Sequence, residues 1–152
     1  MLNAHKLLGT ALGVGYLPKA PGTWGSLLAL AIYFIFFPSS SSLLIHAVFF
    51  IIIAAVFGLG VVSATRLEKV YGHDPSCVVI DEVVGLWIAL WFLPKTWIVM
   101  IGAFVLFRFF DITKWFGINR LQDLPKGWGV MMDDVLAGIW ANVILQIVVR
   151  IY

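Results

Sequence analysis

Five acidic residues of this 152-residue chain stand at the ends of strongly apolar segments. They belong to three separate segments: Asp81 with Glu82, Asp111, and Asp133 with Asp134. If these segments converge, the carboxylates repel one another and lose hydration, which destabilises the folded chain. A hard divalent cation such as Mg²⁺ removes this penalty, because carboxylate oxygens are ligands that it prefers. The five residues are therefore predicted metal ligands; the alternative is pairing with nearby cations or contact with water.

Two basic residues accompany these acids. The stretch "FRFFDITK" spaces Arg108, Asp111 and Lys114 so that they share roughly one face of a helix end. A guanidinium and an ammonium beside a metal provide the positive charge that a phosphate group needs. We therefore predict that Arg108 and Lys114 bind phosphate; a purely structural pair between Arg108 and Asp111 is the alternative. The predicted catalytic residues are Asp81, Asp134, Arg108 and Lys114.

A glycine-rich stretch, "PGTWGS", precedes the first long apolar segment. If it is a turn that leads into a helix, its backbone N–H groups and the hydroxyls of Thr23 and Ser26 can bind an anion. Thr23 and Ser26 are therefore predicted phosphate-binding residues, against the alternative of an ordinary loop with a serine cap. His73 and Asp74 stand in a loop on the same predicted surface, where a site and an ordinary loop are equally good interpretations.

The amino-acid composition indicates the class of protein to which these residues belong. The chain is 62% hydrophobic and 12% charged, against about 45–50% and about 25% for soluble domains. This excess predicts an all-α polytopic integral membrane protein with a single domain, 1–152. The net charge of +2 gives no indication of nucleic-acid binding, and the single cysteine excludes an internal disulfide.

Hydropathy predicts about four to five membrane spans. The apolar segments cover residues 26–37, 43–64, 78–93, 97–110 and 130–149, with a "PSSSS" turn between the first two. The glycine-rich residues 7–17 are predicted to be interfacial or re-entrant. Alternate threading of these segments places seven basic residues on one side of the membrane, which the positive-inside rule makes cytoplasmic. All eight acidic residues fall on that side as well, which predicts one polar site at the cytoplasmic interface.

Four motifs occur in order along the chain: "PGTWGS", "HDPSCVVIDEVVGLW", "FRFFDITKW" and "GWGVMMDDVLAG". Together they resemble the phosphatidylglycerophosphatase A family of bacterial membrane lipid phosphatases, over nearly the whole chain. The resemblance implies a Mg²⁺-dependent enzyme that removes the terminal phosphate of phosphatidylglycerophosphate and leaves phosphatidylglycerol. The functional residues that it implies are Asp81, Glu82, Arg108, Asp111, Lys114, Asp133 and Asp134. One departure is that "WFGI" follows Lys114, where the family usually has proline.

The expected partners are the lipid substrate and the bilayer, with the active site at the cytoplasmic face of the bacterial inner membrane. The nucleophile is left open between water and a side chain such as Thr23 or Ser26, and the oligomeric state is open too. Two other functions use similar residues. A CDP-alcohol phosphotransferase also uses intramembrane aspartates, but its D-x2-D-G-x2-A-R motif is missing. A small cation transporter is expected to have carboxylates at mid-membrane depth, where this sequence places none.

Overall fold

The computed structural model describes residues 2–39 and 42–151, so Ser40 and Ser41 of the predicted "PSSSS" turn lie outside it. Within these ranges the chain forms helices and no strand, which confirms the all-α prediction. The helices are α1 (Leu2–Gly9), α2 (Pro21–Phe36), α3 (Leu43–Tyr71), α4 (Ile80–Leu90), α5 (Trp97–Thr113), α6 (Ile118–Leu121) and α7 (Gly127–Ile151), with a 3₁₀ turn at Val14–Tyr16.

Helices α3 and α7 are the two described helices that are long and apolar enough to cross a membrane, with 29 and 25 residues. At about 1.5 Å per residue, both exceed a hydrocarbon core of about 30 Å. Helix α3 ends where Gly72, at φ 93, donates its N–H to the carbonyl of Glu68. Helix α2 is apolar but shorter, with 16 residues. The larger number of spans stays a prediction.

Helix α4 lies at the centre of the bundle, against α2, α3, α5 and α7. Nine of its 11 residues are buried. The sequence predicted a span over residues 78–93, but the helix is shorter and covers roughly half of a hydrocarbon core at 1.5 Å per residue. The apolar segment of residues 78–93 is therefore longer than the helix that it contains. The first turn of α4 carries Asp81 and Glu82, and Asp81 is buried there.

Close backbone contact holds α4 against α7. A Cβ atom on Gly138 would overlap the carbonyl oxygen of Gly85, and one on Gly85 would come within 2.7 Å of the Asp134 carbonyl. No side chain separates the two helices here, so each position requires glycine. This approach brings the acidic turns of α4 and α7 together.

The carboxyl end of α4 is satisfied by side chains of α7. Asn142 Nδ2 donates to the carbonyls of Ala89 and Trp91, at 3.1 and 2.7 Å. Gln146 Nε2 donates to Trp91 and Phe92, at 3.2 and 3.1 Å. The last carbonyls of a helix have no partner within it, and lipid offers them none. These two amides allow α4 to end inside an apolar bundle.

The N-terminal segment packs on the side of the acidic turns. Helix α1 lies along α3, where His5 Nδ1 is 3.2 Å from Ser63 Oγ. The carbonyl of Gly9 then accepts a hydrogen bond of 2.9 Å from the N–H of Val79, the residue directly before α4. The segment therefore supports the start of α4. Its predicted interfacial or re-entrant position stays a prediction.

Candidate active site

The five acids of the apolar segments meet at one end of the bundle. Asp81 and Glu82 come from the first turn of α4, Asp111 from the last turns of α5, and Asp133 and Asp134 from the first half of α7. The four aspartates are buried and Glu82 is half-buried, with 12% of its side chain exposed. The convergence predicted from the sequence is present in the structure.

Three of these acids form what we call the open trio: Asp81, Glu82 and Asp134. Each offers a carboxylate oxygen, and these oxygens all lie within 4.8 Å of one another. Asp81 Oδ1, Glu82 Oε2 and Asp134 Oδ2 are buried and, among the residues described, have no hydrogen-bond partner. Buried oxygens without partners are costly, so the arrangement suits a bound cation.

The other two acids, Asp111 and Asp133, are the paired acids. Lys114 Nζ donates to Asp111 Oδ1 at 2.7 Å, and the Arg108 guanidinium donates to Asp111 Oδ2. Asp133 Oδ2 accepts from Lys114 Nζ at 2.8 Å and from Gln122 Nε2 at 3.1 Å. Its Oδ1 accepts from the backbone N–H of Asp134 at 2.9 Å. Protein donors therefore satisfy both paired acids.

Lys114 joins the two groups of acids. It follows α5 in the left-handed conformation, at φ 53, and its ammonium lies 3.5 Å from Asp134 Oδ1 as well as contacting both paired acids. Burial alone would lower the pKa of this ammonium. Three neighbouring carboxylates, led by that of Asp134, outweigh burial and raise the pKa above its usual value. The three carboxylates therefore favour the charged form of the Lys114 ammonium.

The Arg108 guanidinium has one nitrogen, Nη1, that is hydrogen-bonded and another, Nε, that is not. Its Nη1 bonds to Asp111 and lies 3.7 Å from Glu82 Oε1. Its Nε is buried and meets no acceptor within residues 2–39 and 42–151. The structural pair with Asp111 is therefore present, and the remaining N–H can still bind an anion.

The stretch "PGTWGS" is the first part of α2 itself and not a turn before it. Pro21 is the first helical residue, which suits proline. The prediction of a preceding turn is therefore wrong, and so is the alternative of Ser26 as the cap. Ser26 is fully buried and its hydroxyl donates to the carbonyl of Gly22 at 2.8 Å. Thr23 is half-buried on the first turn, where its N–H donates to the carbonyl of Ala20 at 2.9 Å. The structure gives neither hydroxyl a contact with the acids, and their phosphate role stays a prediction.

Two residues of the site were missed in the sequence. A Cβ atom on Gly22 would overlap Glu82 Oε1 and lie 2.9 Å from Arg108 Nη1, so glycine lets the start of α2 approach both groups. Its place in "PGTWGS" was the available signal. Gln122 bonds to Asp133 across 11 residues of chain. Nothing in the local sequence distinguishes this amide from any other loop residue.

The sequence of this chain is similar to those of known proteins. A sequence model of phosphatidylglycerophosphatase A matches residues 7–149. The chain belongs to the phosphatidylglycerophosphatase A family. It is therefore a phosphatase, and family membership favours neither a CDP-alcohol phosphotransferase nor a cation transporter.

Three relatives align over almost their full length. A protein of Bacteroides thetaiotaomicron, provisionally named phosphatidylinositol-3-phosphatase, is 42% identical over 149 residues, which are 93% of this chain and 91% of the relative. Phosphatidylglycerophosphatase A of Haemophilus influenzae is 40% identical, covering 95% and 88% of the two chains. The Escherichia coli protein of that name is 32% identical, covering 97% and 85%. No solved structure matches this chain significantly.

Proposed function

We propose that this chain removes the terminal phosphate of phosphatidylglycerophosphate, with Mg²⁺, at the cytoplasmic face of a bacterial inner membrane. The observation that carries the proposal is the open trio, with its buried, partnerless oxygens beside Arg108 and Lys114. Membership in the phosphatidylglycerophosphatase A family supports the choice of substrate.

The open trio fits Mg²⁺ because it offers hard oxygen ligands that lack other partners. We propose Asp81, Glu82 and Asp134 as the ligands. Asp111 and Asp133 were also predicted as ligands, but each would have to exchange a lysine contact for the metal. When bound, Mg²⁺ supplies Lewis-acid polarisation of a phosphoryl oxygen.

Arg108 and Lys114 provide the positive charge for the phosphate group. The free Nε–H of Arg108 and the ammonium of Lys114 hold phosphoryl oxygens and neutralise charge that develops as the ester bond breaks. The paired acids keep both cations in position. Water is the proposed nucleophile, since the Ser26 hydroxyl is buried and committed to Gly22. The water oxygen bonds to phosphorus while the bond between phosphorus and the glycerol oxygen breaks, and the proton that the water loses goes to the glycerol oxygen.

The test is release of inorganic phosphate by purified protein in detergent micelles that contain phosphatidylglycerophosphate, with Mg²⁺ or with EDTA. We expect release with Mg²⁺ and none with EDTA. Full activity in EDTA would contradict the metal dependence. A lipid with inositol 3-phosphate as headgroup is the second candidate substrate, because of the name of the 42% identical relative. If phosphate were released from the inositol lipid and not from phosphatidylglycerophosphate, the inositol lipid would become the proposed substrate.

Orientation requires a separate test. We propose a multi-pass topology with the acids at the cytoplasmic end. In a Cys77→Ser background, single cysteines replace Ser39, at the end opposite the acids, and Lys69, near the end of α3; both are exposed. An impermeant thiol reagent added to intact cells should label the cysteine at 39 and not the one at 69. The reverse result would place the site outside the cytoplasm.

A further inference from the structure

Aromatic side chains begin directly after Lys114 and lie on the outside of α5 and α7. The Phe116 ring contacts both helices: its centroid is 6.0 Å from that of Phe110 on α5 and 5.3 Å from that of Trp140 on α7. Trp115 and Phe116 are 56% and 63% exposed. We call Trp115, Phe116 and Trp140 the aromatic seam. The seam is continuous with the proposed phosphate-binding residues, because Lys114 directly precedes it in the chain.

Trp140 carries a polar group that the fold leaves without a partner. Its Nε1–H is buried and donates to no acceptor in the described part of the chain. By contrast, Trp87 Nε1 donates to the carbonyl of Ala29 at 3.0 Å, and Trp91 Nε1 donates to that of His46 at 3.2 Å. Buried tryptophans usually find an acceptor, and the interior of a bilayer supplies no water as a substitute. The Trp140 N–H therefore suits an acceptor that arrives with a ligand.

The distance from the proposed phosphate position to Trp140 matches the length of a lipid headgroup. Lys114 Nζ lies 2.8 Å from Asp133 Oδ2. Trp140 is seven residues after Asp133, so it lies on the same face of α7, about 10 Å further along at 1.5 Å per residue. Between its terminal phosphate and its acyl esters, phosphatidylglycerophosphate has a glycerol, a phosphodiester and part of a second glycerol. This chain of atoms spans such a distance without full extension.

The exposed rings suit the apolar part of the same lipid. The Phe109 ring, on the last turns of α5, is exposed and lies 5.4 Å from that of Trp115. Together with Phe116 these rings form an apolar surface beside a cation, and acyl chains gain free energy when they cover such a surface. A lipid whose phosphate is bound at Lys114 reaches this surface with its chains. The bulk bilayer is the other possible source of chains, and it does not need Lys114.

We propose that the aromatic seam binds the diacylglycerol part of the lipid substrate, with the Trp140 N–H donating to an ester carbonyl and the Phe116 ring contacting an acyl chain. The inference rests on the proposed phosphatase function and adds to it the residues that recognise the lipid. Phe116 packs on Trp140, so its ring shifts to admit the ester. Neither side chain touches the bond that breaks, so both affect KM more than kcat.

The experiment measures phosphate release by the full-length protein with Mg²⁺, in a detergent that has no ester groups. The two substrates are short-chain phosphatidylglycerophosphate and its analogue with ether-linked chains of equal length, which lacks the carbonyls. The wild type should prefer the ester form by about five-fold in kcat/KM, the effect of one neutral hydrogen bond. Trp140→Phe keeps an aromatic ring without the N–H. It should reduce this ratio towards one, through a higher KM for the ester form.

Trp128→Phe is the matched control. It makes the same substitution on the same helix, but Trp128 is exposed and its ring packs against Phe57 of α3. This variant should keep the wild-type ratio. Phe116→Ser tests the contact with the acyl chain, and the exposure of this ring makes loss of folding unimportant here. KM should rise by about five-fold or more for both forms, because apolar contact is lost, while their ratio stays as in the wild type.

Several outcomes overturn the inference. One is a folded Trp140→Phe protein, judged by its melting temperature, that keeps the ester preference. Another is a wild type without this preference, as expected if bulk lipid covers the seam. A Trp128→Phe protein that also loses the preference would show that the tryptophans act only as a membrane belt. If Trp140→Phe does not fold, Phe116→Ser decides: a raised KM supports the inference, and an unchanged KM for both forms overturns it.

The proposed function fails in a different way from this inference. A wild type that releases phosphate from both forms at equal kcat/KM overturns the assignment of the seam alone. A wild type that releases no phosphate from either form overturns the proposed function, and the assignment of the seam with it.

Discussion

The open trio and the paired acids differ in their neighbours, although all five residues are carboxylates at one end of the same bundle. Asp111 and Asp133 receive hydrogen bonds from Arg108, Lys114, Gln122 and a backbone N–H. Asp81, Glu82 and Asp134 each keep a buried oxygen with no partner in the described part of the chain. The protein therefore satisfies the oxygens of the paired acids itself, whereas each member of the open trio keeps an unsatisfied oxygen, even with Lys114 3.5 Å from Asp134 Oδ1 and Arg108 3.7 Å from Glu82 Oε1.

The position of the cations causes this difference. Both come from the carboxyl end of α5, where Lys114 turns back in the left-handed conformation towards Asp111 and Asp133. The first turn of α4 receives no lysine; Glu82 has only the more distant Arg108, at 3.7 Å. A site that binds both a metal and a phosphate needs both environments, and here they are adjacent.

The largest expected effect is that of Asp134→Asn or Asp81→Asn. Either change removes a proposed metal ligand, so activity should fall by about a thousand-fold or more, as expected when several kcal/mol of transition-state stabilisation is lost. Without Mg²⁺ the variants should be more stable, with a melting temperature higher by roughly 2–4 °C per kcal/mol of relieved repulsion. Phosphate release and thermal unfolding in EDTA measure the two effects. Near-normal turnover in both variants would remove these residues from the metal site.

The next effect concerns Arg108, which contacts both groups. If Arg108 only neutralises Asp111, then Arg108→Gln with Asp111→Asn should restore activity that Arg108→Gln alone loses. We expect no restoration, because the phosphate would lose its guanidinium. The double variant should still fold, since the two buried charges leave together. A double-mutant cycle in activity and in unfolding free energy measures this. Substantial phosphatase activity in the double variant would show that the pair is structural.

Asp133→Asn is the direct comparison with Asp134→Asn, because the two residues are neighbours on α7. The change should cost about 10–100-fold in activity, as is typical of residues that orient a ligand or a cation without touching the metal. The Mg²⁺ concentration for half-maximal activity should stay near that of the wild type. Equal losses and equal Mg²⁺ dependence in both variants would show that the acids do not separate into two groups.

Lys114→Met should have the smallest effect. The lysine is more exposed than Arg108 and the acids that it contacts, with 22% of its side chain accessible, so water partly replaces its charge. KM should rise by about ten-fold while kcat changes less, because substrate binding is mainly affected. Steady-state kinetics measure both constants. A loss confined to kcat would instead make Lys114 a group that acts only in the transition state.

Local features of the sequence determined a large part of this description. The apolar composition and the segment lengths predicted an all-helical protein, and α3 and α7 are the long helices expected from residues 43–64 and 130–149. The places of Asp81, Asp111 and Asp134 at segment ends predicted that they would meet. Hydropathy predicts the helices because it is a sum over residues that are neighbours in the sequence. The position of a charged residue within an apolar run also limits the depth in the membrane at which that residue can lie.

Tertiary structure alone decided how the acids divide. Whether a carboxylate has a partner depends on side chains that are distant in sequence, as with Lys114 and Asp133, which are 19 residues apart. The length of α4 could not be predicted from the sequence for a similar reason. Asn142 donates hydrogen bonds to the carbonyls of Ala89 and Trp91, so the helix ends where α7 supplies amides and not where the apolar run stops. Hydrogen bonds and ion pairs act over a few ångströms between specific atoms. Only the packed helices set those distances.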